Sequence, residues 1–554
     1  MPGSQALGNQ QKAVESSAAH LVVIAPPGCG KTEVLAMRAD HLIRNGTVRP
    51  QRRLLALTFT NRAKENLSGR LRAQLGEQRF RSSVAVMNFH ELGARIVESH
   101  WRSISLNEGF TFPQASWMRK AMGKIDNNWK NQKVAGETLD GIKRNPIDDQ
   151  EVLRLVESSG NYLALKVEER RQAENYLDYG DVLRHAHCIL QNERIAGLFQ
   201  QHFDAVLVDE FQDLSLQQFE IASRICVNNS IYVGDPLQGI FGWAGADPVA
   251  VSARLALSAQ ETVELDVSFR SSPAVLKVVN SVSAGLGAAA LHAADPTQWA
   301  GGGFAYAAEY ASDEEEAKSV VTLTDYLATN HPNDRIGVIV RAAYRRGPLE
   351  RAYLGAAHKP QYWDIALETP RIVRLLKQHA RRISVDLPFA EQVEELMRRV
   401  TTGLRASDVD TLKEVASAAE QLLELEQPGE SLTGLMGRIR DTQDPSPIPA
   451  GVHVLNAHVG KGQQFDWVVV IGLEEGHVPS AYSTTAAELL EEQRVLLVML
   501  SRARKGLFIT HAKKTTNKYG RVFKEPASRW WNAMKSACMP LDDHARERLS
   551  LTGV

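Results

Sequence analysis

Short apolar runs punctuate the first half of the chain, and each ends abruptly in small or polar residues. They are Leu21–Ile24, Leu54–Leu57, Val84–Met87, Val206–Val208 and Ile231–Val233. Alternation is absent and branched residues dominate, which predicts strands buried on both faces, as in a parallel sheet. After the first run, Val34, Leu35, Met37, Leu42 and Ile43 recur at helical spacing and stop at Asn45-Gly46. From about Glu91 to Arg194 the pattern turns mostly polar and helical, with lone tryptophans at 101, 117 and 129. That stretch reads as an inserted helical subdomain. Its lysines between Lys120 and Lys143 read better as a solvated helix face than as a DNA contact. The fold class is therefore α/β, with parallel sheets and helical insertions.

Chemistry enters where the first strand ends. Leu21 to Thr32 reads LVVIAPPGCGKT, a strand and a glycine-rich turn (Gly28, Gly30) leading into the helix. Such a turn gathers backbone N–H groups at a helix N-terminus and suits phosphate. Lys31 would reach the β/γ-phosphates and the Thr32 hydroxyl would ligate Mg²⁺. Upstream, Gln10 can offer both a donor and an acceptor to an adenine edge. The expected cofactors are ATP and Mg²⁺.

The remaining strand ends carry complementary groups. Val206–Asp213 closes on Asp209 and Glu210, a carboxylate to hold Mg²⁺ beside one to orient or deprotonate water, as phosphoryl transfer to water requires. Gln238, beyond Ile231–Gly234, is placed to sense a γ-phosphate. Thr58, Phe59 and Asn61 suit a single nucleic-acid strand, hydroxyls on phosphate and ring on base, unless Phe59 is a core ring capping the next helix. Asn88-Phe89-His90 repeats that arrangement. Phe241 and Trp243 stand in a glycine-rich loop, which reads as a stacking platform.

Composition narrows the setting. At 554 residues the chain is long enough for several domains, and a 44% apolar fraction is ordinary for a soluble protein. No run is long enough to span a bilayer and the N-terminus lacks a signal-type apolar region, so a cytoplasmic protein is expected, with no membrane partner. The four cysteines form no C-x-x-C pair, so no disulfide framework or zinc site is predicted. A net charge of −1 gives no global basic footprint, and any grip on DNA must be local.

Taken in order, these motifs resemble the superfamily 1 DNA helicases of the UvrD/Rep/PcrA type. The likeness continues through Val263–Pro273 (VELDVSFRSSP), Ile336–Arg341, Val454–Gly472 (VLNAHVGKGQQFDWVVVIG) and Glu491–Ala503 (EEQRVLLVMLSRA). It implies two RecA-like P-loop motor domains, one from 1–90 and 195–268, the other from 269–365 and 446–535. Helical insertions would occupy 91–194 and, much reduced, 366–445, with a tail at 536–554. It implies that Phe269 stacks on adenine, that Gly462 and Gln464 border the nucleotide, and that Arg270 and Arg502 act as arginine fingers; the last segment also carries Arg494. Catalysis would then rest on Lys31, Glu210, Gln238, Arg270 and Arg502. Thr58, Phe59, Asn61, His90, Phe241, Trp243 and His458 become contacts to single-stranded DNA. For His90 and His458 the alternative is a buried, hydrogen-bonded ring. Translocation would run 3′ to 5′ on single-stranded or 3′-tailed DNA.

The departures bear on coupling. Ala244 stands where many relatives have Arg, Gln464 replaces Glu, Ser268 an Asn, and Leu497 a Tyr; Glu33 occupies a place where Arg often packs on adenine. After Arg502 comes a basic patch (Lys505, Lys513, Lys514, Lys518, Arg521, Lys524) and no nuclease signature. A short chain of this type also fits a DNA-sensing ATPase that regulates a separate nuclease subunit, as in the helicase-like component of the anti-phage system Gabija.

Overall fold

The computed structural model describes residues 8–540, except 105, 112–116, 243–244, 342, 368–369, 403–414, 416–417, 420, 424–430, 442–447 and 518–520. Two parallel sheets organise it. In the first lobe, β1 (His20–Ile24), β2 (Arg53–Thr58), β3 (Val84–Asn88), β4 (Phe203–Asp209), β5 (Ser230–Gly234) and β6 (Glu261–Glu264) lie in the order β3-β2-β4-β5-β1-β6. All these pairings are parallel. Every residue of β4 is buried, which accounts for the apolar run Ala205–Val208 within it.

The second lobe has β7 (Phe304–Tyr310), β8 (Arg335–Val340), β9 (Gln361–Trp363), β10 (Gly451–Asn456), β11 (Phe465–Val470), β12 (Ala503–Ala512) and β13 (Met539–Pro540). Their order is β9-β10-β8-β11-β12-β7-β13, again parallel throughout. β8 and β11 touch through Gly337, where a Cβ would lie 2.8 Å from the Phe465 ring. One apolar cluster is continuous across both lobes, running from Val34 and Leu35 to Val275, Leu496 and Met499.

Helices follow the strands, and their starts are set by side-chain caps. α1 (Gly8–Glu15) precedes the first strand and α2 (Lys31–Arg44) follows it. Thr60 caps α3 (Asn61–Leu75) and Asn88 caps α4 (Phe89–His100), each accepting a backbone N–H three residues on. The first insertion has its own core, built from α5 (Trp117–Ile125), α6 (Trp129–Lys143), α7 (Asp149–Ser158) and α8 (Tyr162–Ala173). α9 (Tyr179–Leu190), also within the stretch read as inserted, packs instead on α4 and on the first lobe. In the second lobe α10 (Pro273–Ser283) and α11 (Asp313–Asn330) flank the sheet. The second insertion is small, with α12 (Pro370–Ala380) and α13 (Phe389–Thr401) sharing a separate core with Leu432 and Ile439. α14 (Ala486–Leu500) starts at a Thr485–Glu488 capping box.

The root of the first insertion is a buried charge cluster. Lys143, 2% exposed, lies within 3.2 Å of Glu168, Asp178 and Asp181. Arg171 pairs with Glu168 and Asp149, and Arg184 with Asp181 and Asp149. Gln217 of the first lobe donates to the Lys143 carbonyl at 3.3 Å. These groups join α6, α7, α8 and α9, and each charge has its opposite, which buried ions require. Among the described residues no helix is long and apolar enough to cross a membrane.

Candidate nucleotide cleft and nucleic-acid interface

The turn between β1 and α2 needs glycine at two points. Gly28 and Gly30 have φ of +85° and +82°, a region that side-chain-bearing residues avoid. Space is also lacking: a Cβ on Gly28 would lie 2.6 Å from Arg270 Cβ, and one on Gly30 2.9 Å from Gln10 Nε2. Gln10 closes this side by donating its amide to the Cys29 carbonyl at 2.8 Å. Lys31, the first residue of α2, reaches Glu210 with Nζ 2.9 Å from Oε2. Thr32 follows it, half-buried.

The carboxylates sit at the end of β4. Asp209 is its last residue, and Glu210 turns the chain with φ +53°, uncommon for any residue but glycine and typical of constrained sites. Glu210 also accepts from Gln212 Nε2 at 2.6 Å, while Gln212 Oε1 accepts the Asp235 N–H at 2.9 Å. Gly234 leaves the room for this, since a Cβ there would meet Gln212 Oε1 at 2.3 Å. Gln238 donates to Asp235 Oδ2 at 2.9 Å. Burial, then the neighbouring Glu210 charge, push the Asp209 carboxyl above its usual range. Burial would raise Glu210 too, but Lys31, Lys461 and the Gln212 amide hold it below that range. A hydroxyl and a carboxylate are hard oxygen donors of the kind Mg²⁺ takes, and a cation beside Asp209 would supply the positive charge its burial lacks. Thr32 and Asp209 therefore fit the ion.

The second lobe faces these groups. A crevice between the lobes is lined by Pro26, Asp235 and Gln238 on one side and by Leu497 and Ser501 of the α14 segment on the other. α14 packs on the turn Pro236–Gln238. Arg270 follows Phe269, whose N–H donates to the Gly28 carbonyl at 2.9 Å. The Nε of Arg270 and that of Arg494 on α14 are both buried with no hydrogen-bond partner among the described residues. Burial lowers the Arg270 guanidinium to about 10. It lowers Arg494 as well, against the pull of Glu491 and Asp235.

Arg502 lies within electrostatic range of the cleft: burial, then the Arg270 charge, lower its guanidinium to about 9, while Glu210 and Asp235 of the first lobe pull the other way. It is 2% exposed, and it donates to the Val498 carbonyl at 2.8 Å, to Ser501 Oγ at 2.9 Å and to the Gln463 carbonyl at 3.4 Å. These three bonds hold it to the second lobe, just past the C-terminal end of α14, while Arg494 lies on the helix itself. Gly462 is exposed and Gln464 half-buried beside it, and Phe269 presents its ring 46% exposed.

Residues 7–254 match the UvrD/REP helicase N-terminal domain, and residues 367–514 match the UvrD-like helicase C-terminal domain. The chain is 25% identical to the ATP-dependent DNA helicase UvrD2 of Mycobacterium tuberculosis (strain ATCC 25618 / H37Rv), over 95% of its own length and 81% of that protein's. It is 23% identical to the ATP-dependent DNA helicase Rep of Buchnera aphidicola, over 94% and 97%. With PcrA of Leuconostoc citreum it shares 28% identity over 49% of its length. This chain belongs to the UvrD/Rep family of ATP-dependent DNA helicases.

For a UvrD-type helicase the other strand ends are of interest as a DNA face. Thr58 is fully buried and its hydroxyl donates to the Thr60 carbonyl. Phe59 is half-buried and stacks on Phe241, ring centroids 6.3 Å apart and planes 15° apart. Asn61 accepts from Asn88 Nδ2 at 2.9 Å. His90 is 6% exposed with its ring against that of Tyr179, the Tyr179 hydroxyl 2.7 Å from His90 Nδ1. In this arrangement His90 is a buried, hydrogen-bonded ring. His458 is half-buried, and burial, then the Arg341 charge, push it down to about 4. Trp243 and Ala244 lie outside the described residues.

Two residues join the UvrD-type site that motif reading left without a role. Gln212 bridges Glu210 and Asp235, and its proximity to the strand-end carboxylates was the available signal. Lys461 crosses from the second lobe to the first, and the H-x-x-K-G pattern had marked its position.

Proposed function

We propose that this protein is an ATP-driven 3′-to-5′ translocase and helicase on single-stranded DNA, coupling Mg²⁺-ATP hydrolysis to movement of one lobe against the other. The reading is carried by one observation: Arg270 and Arg494 each keep a buried Nε with no hydrogen-bond partner among the described residues, Arg270 against the turn at Gly28 and in electrostatic range of Glu210, Arg494 in range of Asp235. Guanidinium groups so placed stabilise charge that develops on a transferring phosphoryl group.

Within this reading each residue has a task. Lys31 moves from Glu210 to the phosphates, which frees the carboxylate to orient water. Thr32 and Asp209 would hold Mg²⁺, which when bound supplies positive charge against the phosphates. Gln212 and Gln238 fix the Glu210–Asp235 geometry. Gln10 and Phe269 border the base. Arg270 and Arg494 complete the pocket when the lobes close, and Arg502 holds the Gln463 backbone in place behind them. Phe59, Phe241 and Trp243 supply stacking along the DNA, worth about 1–3 kcal/mol per base.

Strand displacement tests the reading. With ATP and Mg²⁺, a duplex with a 3′ single-stranded tail is separated and one with a 5′ tail is not. Separation of the 5′-tailed substrate alone refutes the polarity. The small second insertion and Ala244 favour a second reading, a DNA-sensing ATPase acting on a partner nuclease. DNA-stimulated ATP turnover with no displacement on either substrate selects it.

A further inference from the structure

We propose that the cavity between the edge strand of the second sheet and the second insertion is a binding site for a nucleoside monophosphate, separate from the nucleotide cleft. The proposal goes beyond the translocase reading and does not depend on it. β9 is the outermost strand of its sheet, with β10 on one side only. Just past Trp363 the chain takes a new neighbour: the Asp364 N–H donates to the Arg438 carbonyl at 3.2 Å, and residues 365–367 pair with 439–441. Before Asp364 the two segments part, and a cavity of about 350 Å³ lies between residues 360–363, residues 437–439 and Lys377 of α12. It shares no lining residue with the crevice between the lobes. Its volume stands at the small end of ligand sites, about 300–1,000 Å³, so it suits one nucleotide rather than a length of strand.

The lining selects the charge of the occupant. Lys377 and Arg438 line the cavity, and among the described residues no carboxylate does. Asp364, where the two segments join, has its charge divided: Oδ1 accepts from Arg346 Nη1 at 2.6 Å and Oδ2 from Arg438 Nη1 at 3.3 Å. The second of these bonds also holds the Arg438 guanidinium in place, as the Trp363 indole is held by donating to His453 Nδ1 at 3.2 Å. Tyr362 is half-buried, with the Arg346 guanidinium 5.4 Å from its ring centre. Burial, then the Glu350 charge, push its hydroxyl up to about 12, so it is a donor at neutral pH. A planar ring can pack on Pro360 and Tyr362, while two cations and a phenol suit an oxyanion. A phosphate joined through a sugar to a flat ring uses both halves of this lining. Inorganic phosphate uses only one, and so does a neutral nucleoside.

Equilibrium dialysis of labelled thymidine 5′-monophosphate against the full chain tests this, with excess ADP and Mg²⁺ present to occupy the cleft. One equivalent should bind, with a dissociation constant below about 1 mM. Lys377 is exposed, so Lys377→Gln should melt with the parent yet bind the monophosphate about tenfold more weakly. Lys377→Arg should restore the affinity, and Tyr362→Leu should lower it by a separate route. ADP affinity should not change in any of the three. Absence of binding below about 1 mM overturns the assignment, as does binding that ADP displaces or that both Lys377→Gln and Tyr362→Leu leave unchanged. Thymidine or inorganic phosphate competing as well as the monophosphate also overturns it, since the site would then read only one half of the ligand. A 5′-phosphorylated oligothymidylate that competes more strongly than the monophosphate would give the site to a strand end and overturn the free-nucleotide form.

Discussion

Lys461 of the second lobe donates to both carboxylate oxygens of Asp213 in the first, at 2.6 and 2.9 Å. The same ammonium donates to the Gln238 carbonyl at 2.8 Å and lies 4.4 Å from the centre of the Phe241 ring. Asp213 follows Glu210 by three residues, and Phe241 stacks on Phe59. One cation thus touches the segment that follows Glu210, the backbone of Gln238 and the Phe59–Phe241 pair.

Removing that cation should be costly. In Lys461→Ala the Asp213 carboxylate, 4% exposed as a residue, would be left buried without its partner, a change worth about 3–5 kcal/mol for such pairs. The expected result is a melting temperature several degrees lower and reduced stimulation of ATP turnover by DNA. An unchanged melting curve would mean that the Lys461–Asp213 pair adds nothing to the stability of the fold.

Glu210→Gln keeps the size of the side chain and removes its charge. Asp209, Thr32 and Lys31 remain, so the variant should bind a fluorescent ATP analogue with affinity within a few-fold of the parent. Turnover should fall by about two to four decades, the usual loss for a general base. Retained hydrolysis would transfer the role to another group.

The three arginines should separate by phenotype. Arg270→Ala and Arg494→Ala are expected to lose about three to five decades of turnover, as arginine fingers do, with circular dichroism and melting close to the parent's. Arg502→Ala removes a side chain bonded to two backbone carbonyls in the core of the second lobe, so its first effect should be on melting. If Arg502→Ala folds normally but is catalytically dead, the chemical role belongs to it after all.

His185 provides a pH test. Burial, then the adjacent Arg184, lower its ring from 6.5 to about 4, against the pull of Asp181 and Asp149 and with the Arg171 charge lowering it further. The ring stays neutral in the fold but takes a proton near its ordinary value once unfolded. The unfolded chain therefore binds more protons between about pH 6.5 and 4, and stability is lost as pH falls through that window. Comparing melting temperatures of the parent and His185→Gln across it isolates the effect from other groups. The parent should fall more steeply, and parallel curves would exclude His185 as the source.

Much of this was legible before any coordinates. The apolar runs became parallel strands because unbroken Val, Ile and Leu have no other way to be buried on both faces. The glycines of the phosphate turn were readable because backbone shape leaves a compositional trace. What stayed hidden depended on which face of an element meets which neighbour. Arg494 and Arg502 are eight residues apart in one motif, and nothing in the sequence shows that the first keeps a buried Nε without a partner while the second bonds the Val498 and Gln463 carbonyls. Whether His90 is a DNA contact or a buried ring stayed open in the sequence, because nothing there pairs it with Tyr179, far along the chain. The charge cluster under the first insertion was invisible for the same reason, since its members come from four helices.

Phe269 and Ser272 are three residues apart yet hydrogen-bond to opposite halves. The Phe269 N–H is bonded to the Gly28 carbonyl, while Ser271 Oγ and the Ser272 N–H are bonded to the carbonyls of Ala503 and Arg504. Three residues can span at most about 10 Å, so this crossing strap has almost no slack. Any tilt between the halves must arrive as a tug on the carbonyl of the phosphate turn itself, and any rearrangement of that turn must be felt at β12. The linkage is geared with little backlash, so under the proposed translocase reading each small chemical event would become one defined stride.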